Sequence, residues 1–318
     1  MGILVKAIRY SLLASLLLQV APGASSLAAA GGSAQYLYNL SNFTGVIPYT
    51  WVRVVSDPIR NEVYVCSGGS VYVFNATGME IYSFGDDERI GYPYDVAALE
   101  NGDLLLLSYF QGDPVPALVR CDYRGEYQER RALTGFPESW GAFRPTRMVL
   151  RGEKLYVADF STMKAAVIDR GGSLREPIDL AKDIKITERK AADFSLGGFD
   201  ADDQGNLYFT VATQFKVYRL STDRTLESFG APGSTPGKFG IVAGVAADRS
   251  GTIYVADTLK CVVMAFDQEF SFLYEFGYRT PKPGGLVAPK DPTVSADGMV
   301  YVTQQGERGV NVYRVSSN

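Results

Sequence analysis

The sequence predicts an all-β fold, a six-bladed β-propeller in which the N-terminal strand completes the last blade. Three observations lead to this prediction: a recurring strand, a turn before its copies, and a last copy that ends one strand short. The recurring strand alternates and is rich in aromatic and β-branched residues. Its copies are centred on Tyr64, Leu105, Tyr156, Tyr208, Tyr254 and Tyr301, which lie 41, 51, 52, 46 and 47 residues apart. This period matches one four-stranded blade, for which about 40–50 residues is normal.

Turn sequences precede the copies of this strand. Residues 202–205 and 248–251 are examples, since each begins with Asp and ends with Gly. Gly permits a positive φ, and Asp accepts hydrogen bonds from the nearby backbone. A third strand follows in each copy, and the fourth strand ends in an aromatic residue at Phe84, Phe229 and Phe276. Each copy therefore has the composition of a four-stranded antiparallel sheet.

The two ends of the chain each carry part of the sixth copy. That copy stops at Asn318 after its third strand. Residues 36–40 (Tyr-Leu-Tyr-Asn-Leu) resemble the fourth strand at residues 272–276 (Phe-Leu-Tyr-Glu-Phe). We therefore expect residues 36–40 to pair with residues 310–315 and close the ring. Closure satisfies backbone groups that otherwise promote edge-to-edge aggregation.

The first thirty residues have the pattern of a cleaved secretory signal. Lys6 and Arg9 form a basic leader, a Leu-rich apolar run follows at residues 11–21, and residues 26–28 and 28–30 are cleavage sites of the Ala-x-Ala type. The apolar run is shorter than the roughly 20 residues of a membrane span. An uncleaved membrane anchor is the alternative interpretation. We expect an exported protein, periplasmic or extracellular, in which residues 31–318 form one propeller domain without a stable membrane span.

Composition excludes several classes of function. The net charge is −4, and it becomes −6 when the two basic residues of the leader are removed. An acidic protein is a poor candidate for binding nucleic acid or anionic lipid, which attract basic surfaces. The chain contains no histidine. Histidine-dependent acid–base catalysis, histidine-activated nucleophiles, histidine-ligated zinc and histidine-ligated haem are therefore excluded.

Three cysteines, Cys66, Cys121 and Cys261, lie far apart in different copies of the repeat. An oxidising compartment would permit one disulfide, and the odd number leaves at least one free thiol. Each cysteine is next to or within an apolar strand, so we expect buried and unreactive thiols.

Residues 229–267 carry a series of motifs in a fixed order: Phe-Gly, Gly-Lys-Phe, Val-Ala-Ala-Asp and Gly-Thr-Ile-Tyr-Val-Ala-Asp. Residues 155–159 with residues 167–169 form a second good copy. In this order the motifs resemble the NHL-repeat family of six-bladed β-propellers. The chain departs from the family where Thr258-Leu-Lys260 replaces the usual Asn-x-Arg, which argues against a shared ligand on that surface. The resemblance implies a rigid ring that presents one face to a protein partner, and some exported relatives accompany multihaem cytochromes.

The charged candidate residues for a site fall at equivalent positions, or one level, on the strands that line the axis. Alignment of the copies on their turns places there Arg53, Asp95, Thr146, Gly198, Gly244 and Asp291, with Arg147 one position further along. One hypothesis is a small polar or cation-binding pocket at the mouth of the channel. The other is an ion-pair network that joins the inner strands, and we favour it because arginine beside aspartate neutralises such a site.

We expect a non-catalytic binding or scaffold protein whose loops recognise a protein partner, and we assign it no catalytic residue, metal or cofactor. The alternative is a calcium-dependent hydrolase or lactonase with oxygen ligands on the axis, although the axial set lacks an evident Glu–Asn–Asp combination. Trp140, in the long connection at residues 137–145, is a candidate partner anchor, and core packing is its other interpretation. The charged residues 175–194 fit either a short helix or a long fourth-strand excursion.

Overall fold

The computed structural model describes residues 32–57, 59–187 and 193–317. It contains six four-stranded antiparallel sheets and a two-stranded hairpin. The first strands of the six sheets contact one another in cyclic order, so the sheets form a closed ring. The predicted six-bladed β-propeller is thus confirmed. The predicted signal peptide at residues 1–30 lies outside the described residues.

The strands are numbered β1 to β26 in chain order, and the blades I to VI. Before the first blade lie β1 (Gly32–Asn39), β2 (Ser41–Asn42) and β3 (Gly45–Val46). Blades I and II contain β4 (Arg53–Asp57), β5 (Glu62–Ser67), β6 (Ser70–Phe74), β7 (Glu80–Phe84), β8 (Tyr92–Ala98), β9 (Leu104–Tyr109), β10 (Ala117–Cys121) and β11 (Tyr127–Ala132). Blades III and IV contain β12 (Arg147–Arg151), β13 (Lys154–Asp159), β14 (Lys164–Ile168), β15 (Leu174–Asp179), β16 (Gly198–Ala201), β17 (Leu207–Val211), β18 (Lys216–Leu220) and β19 (Leu226–Phe229). Blade V contains β20 (Val242–Ala247), β21 (Ile253–Asp257), β22 (Val262–Phe266) and β23 (Phe272–Gly277), and blade VI contains β24 (Asp291–Val294), β25 (Met299–Thr303), β26 (Val310–Ser317) and β1.

The ring closes where the two ends of the chain share blade VI. Strand β1 pairs antiparallel with β26, and the register matches Tyr36 with Tyr313 and Asn39 with Asn311. The strand begins at Gly32, earlier than the predicted start at residue 36. The rings of Tyr36 and Tyr313 meet edge to face, with their centroids 5.8 Å apart. The predicted closure by the N-terminal strand is confirmed.

Apolar side chains fill the six spaces between neighbouring blades. Each of six buried clusters combines residues from two adjacent blades. Between blades III and IV, for example, Tyr156 and Ile178 meet Phe209 and Leu220. The second strands are therefore buried on both faces, and every residue of β17 and β21 is buried. This burial arises because each blade packs against a neighbour on either side.

Short helices lie in the two segments that interrupt the repeat. In the described part of residues 175–194, β15 leads directly into helix α1 (Leu180–Asp183), which is the short helix of the two predicted alternatives. The side chain of Asp179 caps α1 by accepting a hydrogen bond from the backbone N–H of Lys182. The connection at residues 137–145 contains a single 3-10 turn, Glu138–Trp140, and a second such turn, Ala212–Gln214, follows β17.

The antiparallel order gives the ring two different faces. The entry face carries the connections between blades and the loops between second and third strands, because the first strand of each blade starts there. The turn face carries the turns between first and second strands and between third and fourth strands. Within the described ranges, no helix is long and apolar enough to cross a membrane.

Candidate axial site

Four charged side chains meet on the axis and form what we call the axial quartet: Arg53, Asp95, Arg147 and Asp291. Arg53 donates from Nε to Oδ1 of Asp95 at 2.9 Å and from Nη1 to Oδ2 of Asp291 at 3.1 Å. Nη2 of Arg147 lies 2.9 Å from Oδ2 of Asp291, and its Nε lies 3.9 Å from Oδ2 of Asp95. The first strands of blades I, II, III and VI each contribute one member. The structure thus brings together the four charged residues that the alignment placed near one level.

Backbone contacts hold Asp95 in place. The register between β8 and β9 shifts between Pro93 and Asp95, and such a bulge changes the direction of a side chain. Oδ1 of Asp95 accepts a hydrogen bond from the N–H of Val96 at 2.9 Å. Oδ2 accepts one from the N–H of Met148 at 2.8 Å. Asp95 therefore joins the inner strands of blades II and III as well as neutralising arginine.

Two glycines occupy the other side of the same level, where the inner strands come close together. A Cβ atom at Gly198 would lie 2.6 Å from Cα of Gly244, and one at Gly244 would lie 2.4 Å from the carbonyl oxygen of Lys290. Glycine permits this approach of blades IV, V and VI. Thr146 donates its backbone N–H to the carbonyl of Ala158 at 3.0 Å, within blade III.

Electrostatics explain why the quartet is stable in a buried place. Asp95 is fully buried, and the side chain of Arg53 is 15% exposed. Burial alone would lower the pKa of Arg53, but the carboxylates of Asp95 and Asp291 raise it above its usual value. Arg53 therefore stays charged at every physiological pH. Two guanidinium groups and two carboxylates balance, which matches the ion-pair network favoured from the sequence.

A cavity of about 480 Å³ lies next to the quartet, and Arg53 and Arg147 line it. The wall of the cavity is formed by residues that lie two positions after the quartet level on each inner strand. Side chains two positions apart on a strand point to the same side, so these also face the axis. These wall residues are Val55, Ala97, Val149, Asp200, Ala246 and Thr293. Most of them are small, so they leave the axis open. The cavity also reaches Glu100, Gly152 and Arg249 in the first turns of blades II, III and V, so it opens on the turn face.

Paired charges surround the opening of this cavity. Nη2 of Arg151 lies 3.1 Å from Oδ1 of Asp200, and its Nε lies 3.8 Å from Asp203. Asp203 is also 3.5 Å from Arg249, and Asp200 accepts a hydrogen bond from the N–H of Ala247 at 2.9 Å. The sequence analysis missed these residues. The spacing from Arg147 to Arg151 was the available signal, since positions four apart on a strand share a face.

Trp140 does not join the quartet. Its ring lies 5.2 Å from that of Phe143 and 6.2 Å from that of Phe136, between blades II and III. The ammonium of Lys164 lies 5.5 Å from the centroid of the indole. These contacts support the packing interpretation of Trp140.

The cysteines offer no reactive group near the axis. All three are free and buried, as expected from their strands. Burial raises the pKa of the thiols of Cys66 and Cys121. Since the thiolate is the reactive form, these thiols are unreactive in the folded protein.

Within residues 32–57, 59–187 and 193–317, no group of three or more histidine, cysteine, aspartate or glutamate side chains is placed to hold a metal ion. Aspartates at the ends of second strands are instead bonded to loops. Asp159 accepts from the N–H groups of Ser161 and Arg144, and Asp257 accepts from that of Gly240. These carboxylates fix the loops of the entry face.

Comparison with known proteins identifies the fold alone. No protein-family model and no curated protein matches the chain. A solved protein of unknown function from Bacteroides thetaiotaomicron VPI-5482 has 12% identity and a TM-score of 0.64. The match covers 90% of this chain and 77% of that protein. Virginiamycin B lyase from Staphylococcus aureus has 12% identity and a TM-score of 0.57, with coverages of 90% and 99%. A putative gluconolactonase has 15% identity and a TM-score of 0.57, with coverages of 90% and 93%.

Proposed function

We propose that this protein is a non-catalytic binding protein that presents the entry face of its propeller to a protein partner. The observation that carries the proposal is the distribution of exposed apolar side chains. In the described part of the chain eleven large apolar residues are exposed, and eight of them lie on the entry face: Phe43, Val46, Trp51, Tyr92, Tyr94, Ile241, Leu259 and Tyr278. Exposed apolar residues grouped on one face are typical of an interaction surface.

Several of these residues belong to one connected surface across blades V, VI and I. The N–H of Thr258, next to Leu259, donates to the carbonyl of Ile241 at 2.9 Å, and its Oγ1 donates to the carbonyl of Pro289. Nε1 of Trp51 donates to the adjacent carbonyl of Ala288 at 3.4 Å. Trp51 is therefore held in position while nearly half of it remains exposed. Rigid, exposed aromatic residues contribute strongly to binding at interfaces.

The alternative of a hydrolytic enzyme has less support from the axial chemistry. Asp95 and Asp291 each lie within 3.1 Å of an arginine, so their charges are already neutralised. A calcium ion would have to displace both guanidinium groups to be held there. A histidine-to-alanine variant of virginiamycin B lyase is described as catalytically inactive, and this chain has no histidine. These observations favour binding over catalysis.

Paired variants test the proposed surface. Cross-linking in the native compartment, followed by mass spectrometry, compares wild type with the double variant Trp51→Ala/Leu259→Ser. The control is Ile59→Ser/Tyr123→Ser, which removes exposed apolar residues of the turn face. We expect the entry-face variant to lose at least about tenfold of the cross-linked partner, as removal of hot-spot residues does. Equal loss in both variants, or calcium-dependent hydrolysis of lactones by the wild type, would contradict the proposal.

We also propose export, with the partner outside the cytoplasm. The support is the leader at residues 1–30, which has the basic, apolar and small-residue regions of a secretory signal. Mass spectrometry of the native protein should find an N-terminus near residue 31. A protein that retains Met1 and stays in the cytoplasm would contradict this.

A further inference from the structure

The axial cavity opens on the turn face, opposite the apolar entry face. Its volume of about 480 Å³ lies in the range of about 300–1,000 Å³ that holds small organic ligands. Val55, Ala97, Val149 and Ala246 give its wall an apolar part beside the charged side chains. Such a wall stabilises an apolar body by removing it from water. A bare inorganic ion would leave this wall without contacts.

The floor of the cavity presents arginine. Arg53 and Arg147 line the cavity, whereas the lining includes neither Asp95 nor Asp291. Nε and Nη1 of Arg53 are bonded to these carboxylates. Nη2 of Arg53 has no hydrogen-bond partner in the described part of the chain, and neither does Nη1 of Arg147. The quartet is neutral as a group, but its positive side faces the cavity.

Guanidinium N–H groups without a partner among the described residues, next to apolar side chains, favour one class of ligand. A carboxylate has two oxygen atoms in one plane, and it pairs with the donors of arginine better than a neutral oxygen does. Two of the carboxylates at the opening, Asp200 and Asp203, are paired with Arg151 and Arg249, so these two oppose an entering anion only weakly.

We infer that the axial cavity binds a small organic carboxylate, with its charged end against Arg53 and Arg147 and its apolar body along the wall. The opening lies four residues from the floor along β12, or about 13 Å at about 3.3 Å per residue. This depth suits a ligand of several carbon atoms. The inference does not depend on the partner surface, because the two lie on opposite faces.

Calorimetric titration with three probes tests the inference. Hexanoate has both the carboxylate and the apolar body, 1-hexanol lacks the charge, and acetate lacks the body. We expect hexanoate to bind at least tenfold more tightly than either of the others. Equal affinity for 1-hexanol would leave the arginines without a role, and equal affinity for acetate would leave the wall without one. Either result overturns the inference, and so does absence of hexanoate binding at millimolar concentration.

Variants then locate the binding. Val55→Phe fills the cavity without changing the quartet, and it should weaken hexanoate binding at least tenfold. Ile81→Phe adds the same ring on the exposed strand β7 and should leave the affinity unchanged. Arg53→Lys keeps the charge but loses the planar donor group, so a tenfold loss is expected. If Arg53→Lys unfolds, Val55→Phe decides the result, and a folded Val55→Phe protein that binds hexanoate like the wild type overturns the inference.

Discussion

Asp95 makes three hydrogen bonds on the axis, as many as Arg53. It accepts hydrogen bonds from the side chain of Arg53 and from the backbone of Val96 and Met148, and it is fully buried. Its negative charge offsets Arg53 directly and Arg147 at longer range. Without it, Asp291 alone would balance two buried guanidinium groups. Burial therefore makes this single carboxylate a determinant of stability.

Replacing Asp95 by asparagine should lower the free energy of unfolding by about 3–5 kcal/mol, because removing one partner leaves a buried charge uncompensated. Asp113→Asn is the matched control. Asp113 pairs with Arg130 on the surface, where the loss of an ion pair costs less than about 1 kcal/mol. Urea denaturation of both variants measures the difference. Similar stabilities for the two would show that the quartet contributes little.

Strand β1 turns an open array of blades into a ring. It supplies the outer strand of blade VI, and it contributes Ala34 and Tyr36 to the apolar cluster between blades V and VI. Leu40, just after the strand, is fully buried in the cluster between blades VI and I. The two ends of the chain therefore stabilise two blade interfaces at once.

Deletion of residues 34–41 should destabilise the whole ring. The deletion removes the pairing with β26 and exposes its backbone groups, so we expect the melting temperature to fall by on the order of 10 °C or more. Phe43→Ser is the control, since Phe43 is 98% exposed and lies just beyond the deleted residues. Circular dichroism during heating measures both. An unchanged melting temperature after the deletion would refute the role of closure.

The elements of this fold were predictable where the evidence is local and repeated. Turns such as residues 248–251 specify their own geometry through Asp248, which accepts the N–H groups of Ser250 and Thr252. The burial of the second strands was not predictable from alternation, because it depends on neighbouring blades. A pocket at the mouth of the channel was one of the two hypotheses from the sequence, but the residues that form its wall were missed for the same reason. Its wall residues face one another only across the closed ring, and small residues such as Ala97 and Ala246 carry no chemical signal in the sequence.

At the scale of the whole molecule, the quartet lies between two surfaces of different chemistry. Exposed aromatic and aliphatic residues lie on the entry face, and the cavity opens on the turn face. Arg53, Arg147 and Asp291 begin their inner strands, and Asp95 is the fourth residue of β8, so the quartet lies between these surfaces. The close approach at Gly198 and Gly244 fixes blades IV, V and VI at the same level. A ligand in the cavity therefore meets a rigid floor.

Because the quartet is rigid, occupation of the cavity should not alter recognition on the entry face. We expect saturating hexanoate to leave the yield of cross-linked partner unchanged, and Trp51→Ala/Leu259→Ser to leave the affinity for hexanoate unchanged. Two sites influence each other only when a ligand binds two states of the protein with different affinity. Val55→Phe provides the control, since it should weaken hexanoate binding at least tenfold and still capture the partner. A change in partner yield that requires hexanoate, and that disappears in Val55→Phe, would instead show that the quartet couples the two faces.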